Sequence, residues 1–160
     1  MKLYESNIID VKCNGVNVKE IKKIAYRGCL EIYAVKRSIY TSDTERAFLH
    51  KSGINTAWWC GYVEAVQDMQ DSFGGRRCFE DNVIKLSCGN KTKEYILAHV
   101  HGGYTYAAYG IPLVLDDNQR LFIGWDYNHW PDTEDCMTYQ EILEEGMKVI
   151  DSMLAPKSTG

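Results

Sequence analysis

The sequence predicts an α+β domain: a mainly antiparallel sheet packed by a C-terminal amphipathic helix. Three observations carry this prediction. Short alternating or aromatic and β-branched runs recur as far as Trp125, with turn residues between them. Asn14-Gly15 and Gly89-Asn90 supply hairpin-type turn signals. Beyond them, Thr138-Tyr-Gln-Glu141 has the Ser/Thr-x-x-Glu pattern of a helix start. It is followed by Ile142, Leu143, Met147, Ile150 and Leu154 at helical spacing.

Taken in order, residues 8–13 alternate as a strand, and Asn14-Gly15 turns the chain into a return strand from Val16. Residues 18–26 fit either a strand or a short helix, because Val18, Ile21, Ile24 and Ala25 also share a helical face. A second β run covers 29–35. Ser42-Asp-Thr-Glu45 reads as a capping box that opens a short helix through His50, ended by Gly53. Residues 56–63 are aromatic and β-prone and read as a central strand. Residues 67–82 are polar, contain Gly74-Gly75 and read as a long loop of the kind that often carries function. Further strands are predicted at 82–87, 94–100 and 120–125.

The chain has 160 residues, enough for one domain over 1–154 that buries about two-thirds of its unfolded surface, with a flexible tail at 155–160. Charged residues at 25% and hydrophobics at 45% match a folded globular protein. A net charge of -4 argues against duplex nucleic acid as a partner, since that needs a cationic face, but is compatible with a small anionic ligand. No apolar run has the length of a membrane span, and Met1-Lys-Leu-Tyr-Glu-Ser6 has no signal-peptide character. The expected location is cytoplasmic. Cys13, Cys29, Cys60, Cys78, Cys88 and Cys136 form no CxxC pair, so they read as reduced and mostly buried rather than as a zinc site.

The densest functional signal lies between Ala98 and Asp132. His99 and His101 stand two apart near a predicted strand end, so both would project from one sheet face. Asp126, His129 and Asp132 follow a second strand end. If the two ends are adjacent, His101, Asp126, His129 and Asp132 form a zinc or manganese ligand set, or a His/Asp acid-base set for a hydrolase or phosphodiesterase. Blander readings stand beside these: His99 as a hydrogen-bonded core histidine, Asp126 and Asp132 as turn or cap residues. Cys60 is conceivable as a nucleophile but falls inside a predicted buried strand.

A binding reading uses the same region without metal or other cofactor. Tyr104, Tyr106 and Trp125 would stack on or wall a nucleotide-like ligand, and His101, Gly102, Gly103, Thr105, Asp126, His129 and Asp132 would meet its polar groups. The glycine pair allows a sharp turn or close backbone approach. Arg76 and Arg77, after Gly74-Gly75, could bind phosphate bidentately. At least half of the aromatics are expected in the core. Exposed aromatics and the amphipathic helix are compatible with a homo-oligomer, and core packing explains both equally well.

Cys60-Gly-Tyr-Val63, His101-Gly-Gly-Tyr-Thr-Tyr106 and Gly124-Trp-Asp-Tyr-Asn-His129 with Asp132 resemble the motifs of a group of small uncharacterised proteins of bacteriophages and mobile elements. The resemblance spans under half of the chain, from Trp58 to Asp132. It implies a phage accessory setting in a host cytoplasm and favours His101, Asp126, His129 and Asp132 over His99. By analogy of setting it suggests sequestration of a nucleotide signal of host defence. Blocking a host enzyme through an aromatic patch is the third reading.

Overall fold

The computed structural model describes residues 16–39, 42–53, 55–67, 97–128 and 137–155. In chain order these form β1 (Asn17–Tyr26), β2 (Leu30–Ser38), α1 (Asp43–Lys51), β3 (Ala57–Glu64), β4 (Tyr106–Tyr109), β5 (Leu121–Asp126) and α2 (Tyr139–Leu154). The strands make one antiparallel sheet in the order β1-β2-β3-β5-β4, and α2 lies across one of its faces. The α+β class and the helix-on-sheet packing read from the sequence are therefore present. The strand predicted at 8–13, both hairpin signals and the strand at 82–87 lie outside the described residues, as does nearly all of the loop predicted at 67–82.

β1 resolves the ambiguity of 18–26 in favour of a strand. Its register against β2 shifts between Val18 and Glu20. That irregularity sends Val18 to the sheet face opposite Ile24, although six residues in a regular strand would leave them on the same face. The mixed periodicity of this segment is the sequence trace of that shift. β2 and β3 carry near-continuous buried runs because both of their faces are covered.

On one face, Ile142, Leu143, Val149, Ile150 and Met153 of α2 pack on Ile32, Ala34, Trp59, Val63, Ile123 and Trp125. Leu154, which the spacing assigns to the same stripe, ends exposed. Thr138 caps α2 by accepting the Glu141 N–H, as Ser42 caps α1 by accepting that of Glu45. α2 comes close to the sheet at Gly146, where a Cβ would stand 2.5 Å from Ile32 Cγ2 and 3.2 Å from Val63 Cγ1.

The opposite face is covered by the turn between Ile111 and Leu115, whose buried side chains meet Tyr33, Val35, Cys60, Tyr62 and Phe122. Arg37, 6% exposed, ties this cover to the sheet by donating to Tyr62 Oη at 2.9 Å and to the Pro112 carbonyl at 2.8 Å. At the far end of the same face Arg120 gathers three carboxylates: Asp117 at 2.7 Å, Glu64 at 3.1 Å, and Glu31. Burial works to raise the Asp117 carboxyl, but bonds from the Arg120 side chain and from the Gln119 and Arg120 N–H groups hold it below the usual carboxylate range.

Two tests follow from this packing. Gly146→Val should destabilise the protein by about 2 kcal/mol or more, since the added carbons meet branched, fully buried side chains rather than flexible tips. Urea unfolding would measure it, and a midpoint equal to that of the wild type would contradict the packing. Asp117 has a lowered folded-state pKa, so its contribution is present above about pH 4 and is lost as pH falls through the folded value. Asp117→Asn should therefore be less stable than wild type at pH 7, with the difference narrowing below about pH 4.

Candidate functional site

Antiparallel pairing brings the C-terminal ends of β2 and β5 and the N-terminal ends of β3 and β4 to one end of the sheet. Residues 101–105, 126–128 and 55–56 meet there. The strand predicted at 94–100 is not a strand over 97–100, where the chain runs as a loop along α2. The Ala98 N–H donates to Ser152 Oγ at 2.9 Å, and that hydroxyl donates to the Val149 carbonyl at 2.6 Å. Side chains of α2 thus take bonds that a strand would have given a neighbour. His99 is exposed, not a core histidine, and shares no strand face with His101.

His101 is half-buried, with its ring stacked on Tyr127 at 4.8 Å and 25°. Its backbone N–H donates to Glu145 Oε1 of α2 at 2.7 Å. Gly102 and Gly103 follow at φ 69° and 81°, and the Gly103 N–H closes the turn on the Val100 carbonyl at 3.0 Å. Two successive residues in the left-handed region explain the glycine pair. Gly102 is exposed, and among the described residues no atom lies within 4 Å of where a Cβ on Gly103 would stand.

The turn delivers Thr105 to the end of β5. Its N–H donates to the Gly124 carbonyl at 2.9 Å and its hydroxyl to Asp126 Oδ2 at 3.1 Å. Asp126 Oδ1 accepts the Asn128 N–H at 3.0 Å, and Asn128 Oδ1 accepts from Asn55 Nδ2 at 2.8 Å. Both carboxylate oxygens of Asp126 therefore hold chain, which combines the turn reading of this residue with its place at the site. Beside Asn55, Thr56 Oγ1 lies 2.8 Å from His50 Nε2 of α1.

The aromatic residues predicted as ligand walls divide between the two faces of the sheet. Trp125 is 1% exposed on the α2 side, with its indole N–H on Tyr127 Oη at 2.8 Å. Tyr104 packs edge-on against Trp125 and donates to the Ala98 carbonyl at 2.5 Å, and burial, followed by the nearby Glu145 charge, pushes its phenol well up. Tyr106 lies on the opposite face, edge-on to Tyr62, with its hydroxyl on the Gly110 carbonyl at 2.7 Å. These three rings serve the core and its turns, and Tyr127 is the ring stacked on the candidate histidine.

Arg76, Arg77, His129 and Asp132 lie outside the described residues. Among the described residues no group of three or more His, Cys, Asp or Glu side chains is arranged to hold a metal ion. Glu145, Asn55, Asn128 and His50 join the site without having been singled out in the sequence. Glu145 sits in a helix where a carboxylate reads as a solvated face, and the others meet their partners only through the fold. No family model, curated protein or solved structure matches this chain.

Cys60 lies in this neighbourhood, paired across strands with Asp126. It is buried, and burial pushes its thiol up to about 11. The nucleophile is the thiolate, so Cys60 should resist iodoacetamide at pH 8 in the native protein while exposed Cys29 is alkylated. Peptide mass mapping with and without urea checks this. Labelling of native Cys60 at the rate of Cys29 would contradict it.

Proposed function

We propose that the protein binds, and so sequesters, a small nucleotide-like ligand at the end of the sheet occupied by the Gly102-Gly103 turn. The observation that carries this reading is a glycine turn whose outer side no described residue covers at Gly103, flanked by the His101–Tyr127 stack and by the Thr105–Asp126 pair. A backbone held in left-handed geometry exposes peptide groups to a ligand without side-chain obstruction, and an imidazole beside it adds a polar edge. The bonds of Asp126 to Thr105 and Asn128 suit a preorganised binding rim. In this reading Arg76 and Arg77 are the candidates for phosphate contact and His129 and Asp132 further polar candidates, on the sequence alone. The motif resemblance to phage and mobile-element proteins gives such binding a setting, namely removal of a nucleotide signal of host defence.

The test is calorimetric titration with cyclic dinucleotides, cyclic trinucleotides and cyclic ADP-ribose, followed by heating the complex and chromatography of the released ligand. One of these should bind and be recovered intact, and His101→Ala with Thr105→Val should weaken binding by about tenfold or more. Failure of the whole panel to bind at submillimolar concentration would sink the reading. A new product that disappears in His129→Ala would replace sequestration by hydrolysis.

A further inference from the structure

The outward side of α1 lies apart from the candidate site. None of the nine residues of α1 is buried. Arg46 and Leu49 are half-buried and, with His50 on Thr56, mark the side that meets the body of the protein. Thr44, Ala47, Phe48 and Lys51 recur at i, i+3, i+4 and i+7 and form the other side. With Asp43 they line an open groove of about 520 Å³. Phe48 is 68% exposed, the most exposed large hydrophobic among the described residues.

We propose that this stripe is a homotypic contact in which two copies of the chain pair their α1 helices antiparallel across a twofold axis near Ala47 and Phe48. The charges on the stripe select both the occupant and the direction. Asp43 stands at its N-terminal end and Lys51 at its C-terminal end. A twofold axis reverses one helix against the other, so Asp43 of each copy meets Lys51 of the second, whereas parallel pairing would oppose like charges. The same reversal sets the helix dipoles head to tail. At the centre, the small side chain of Ala47 leaves room for the Phe48 ring of the second copy, which removes two exposed rings from water at once. Two helical turns form a contact smaller than the roughly 1,000 Å² of a stable interface, so the dimer is reversible.

Sedimentation velocity from low to high micromolar protein reads this directly. The wild type should pass from monomer to dimer across the range. Phe48→Glu should raise the dissociation constant by about tenfold or more, and Phe48→Leu should retain association. Lys51→Glu, which places a carboxylate against Asp43, should weaken the dimer at low ionic strength with the loss shrinking in about 0.5 M salt. Thermal unfolding of each variant confirms that the sheet and α2 are intact. A wild type that stays monomeric throughout, or a dimer that Phe48→Glu leaves unchanged, overturns the proposal.

Discussion

The depth at which α2 sits on the sheet governs the geometry of everything above it. Gly146 presents bare backbone to Ile32 and Val63, and the residues on either side of that contact hold the loop that leads to the candidate site. Glu145 takes the His101 N–H, and Ser152, anchored on the Val149 carbonyl, takes that of Ala98. Hydrogen bonds at 2.7 and 2.9 Å tolerate little movement. A helix held further out would release the loop, and with it the turn at Gly102 and Gly103. The position of a polar turn at the end of the sheet is thus inherited from an apolar contact in the middle of one face.

Both faces of the central strands are filled, which confines polar chemistry to the ends. On the α2 side the filling is apolar. On the other it includes a buried guanidinium, whose desolvation is offset by Tyr62 Oη, the Pro112 carbonyl and the Tyr62 ring beneath it. One end of the sheet then holds the Arg120 cluster, in which Glu31, Glu64 and Asp117 clamp the start of β5 to β2 and β3. The other end holds Thr105, Asp126, Asn128 and His101. The first set closes on itself with opposite charges. The second uses its bonds to shape two loops beside a glycine turn whose outer side no described residue covers at Gly103, and it is there that binding is proposed.

The elements legible in the sequence were those specified by local chemistry. Ser42 and Thr138 cap their helices through the side chain three residues before the bonded N–H, a relation contained in four letters. β2, β3 and β5 announce themselves as β-branched and aromatic runs. The failures come from long-range competition. Residues 97–100 alternate like a strand, but the neighbours of β5 are β3 and β4, and α2 offers the loop hydroxyl and carboxylate partners instead. β4 is only four residues long and is defined by pairing with β5, so no local pattern marks it. The aromatic residues illustrate the same limit. Their density near the site was readable, whereas the assignment of Tyr106 to one face and of Tyr104 and Trp125 to the other depends on register.

Asp126 ties the two sources of information together. As a carboxylate just past a strand it was readable either as a turn former or as a ligand group, and its surroundings join the two roles. One oxygen forms the turn with Asn128, and the other fixes the hydroxyl of Thr105 three residues beyond Gly102. The two loops are thereby locked in mutual register. For the proposed binding, such locking would lower the ordering entropy to be overcome by about 0.5–1.5 kcal/mol for each side chain already held. Under that proposal Asp126 would act on affinity through the rigidity of its neighbours, and its importance would not require direct contact with what is bound.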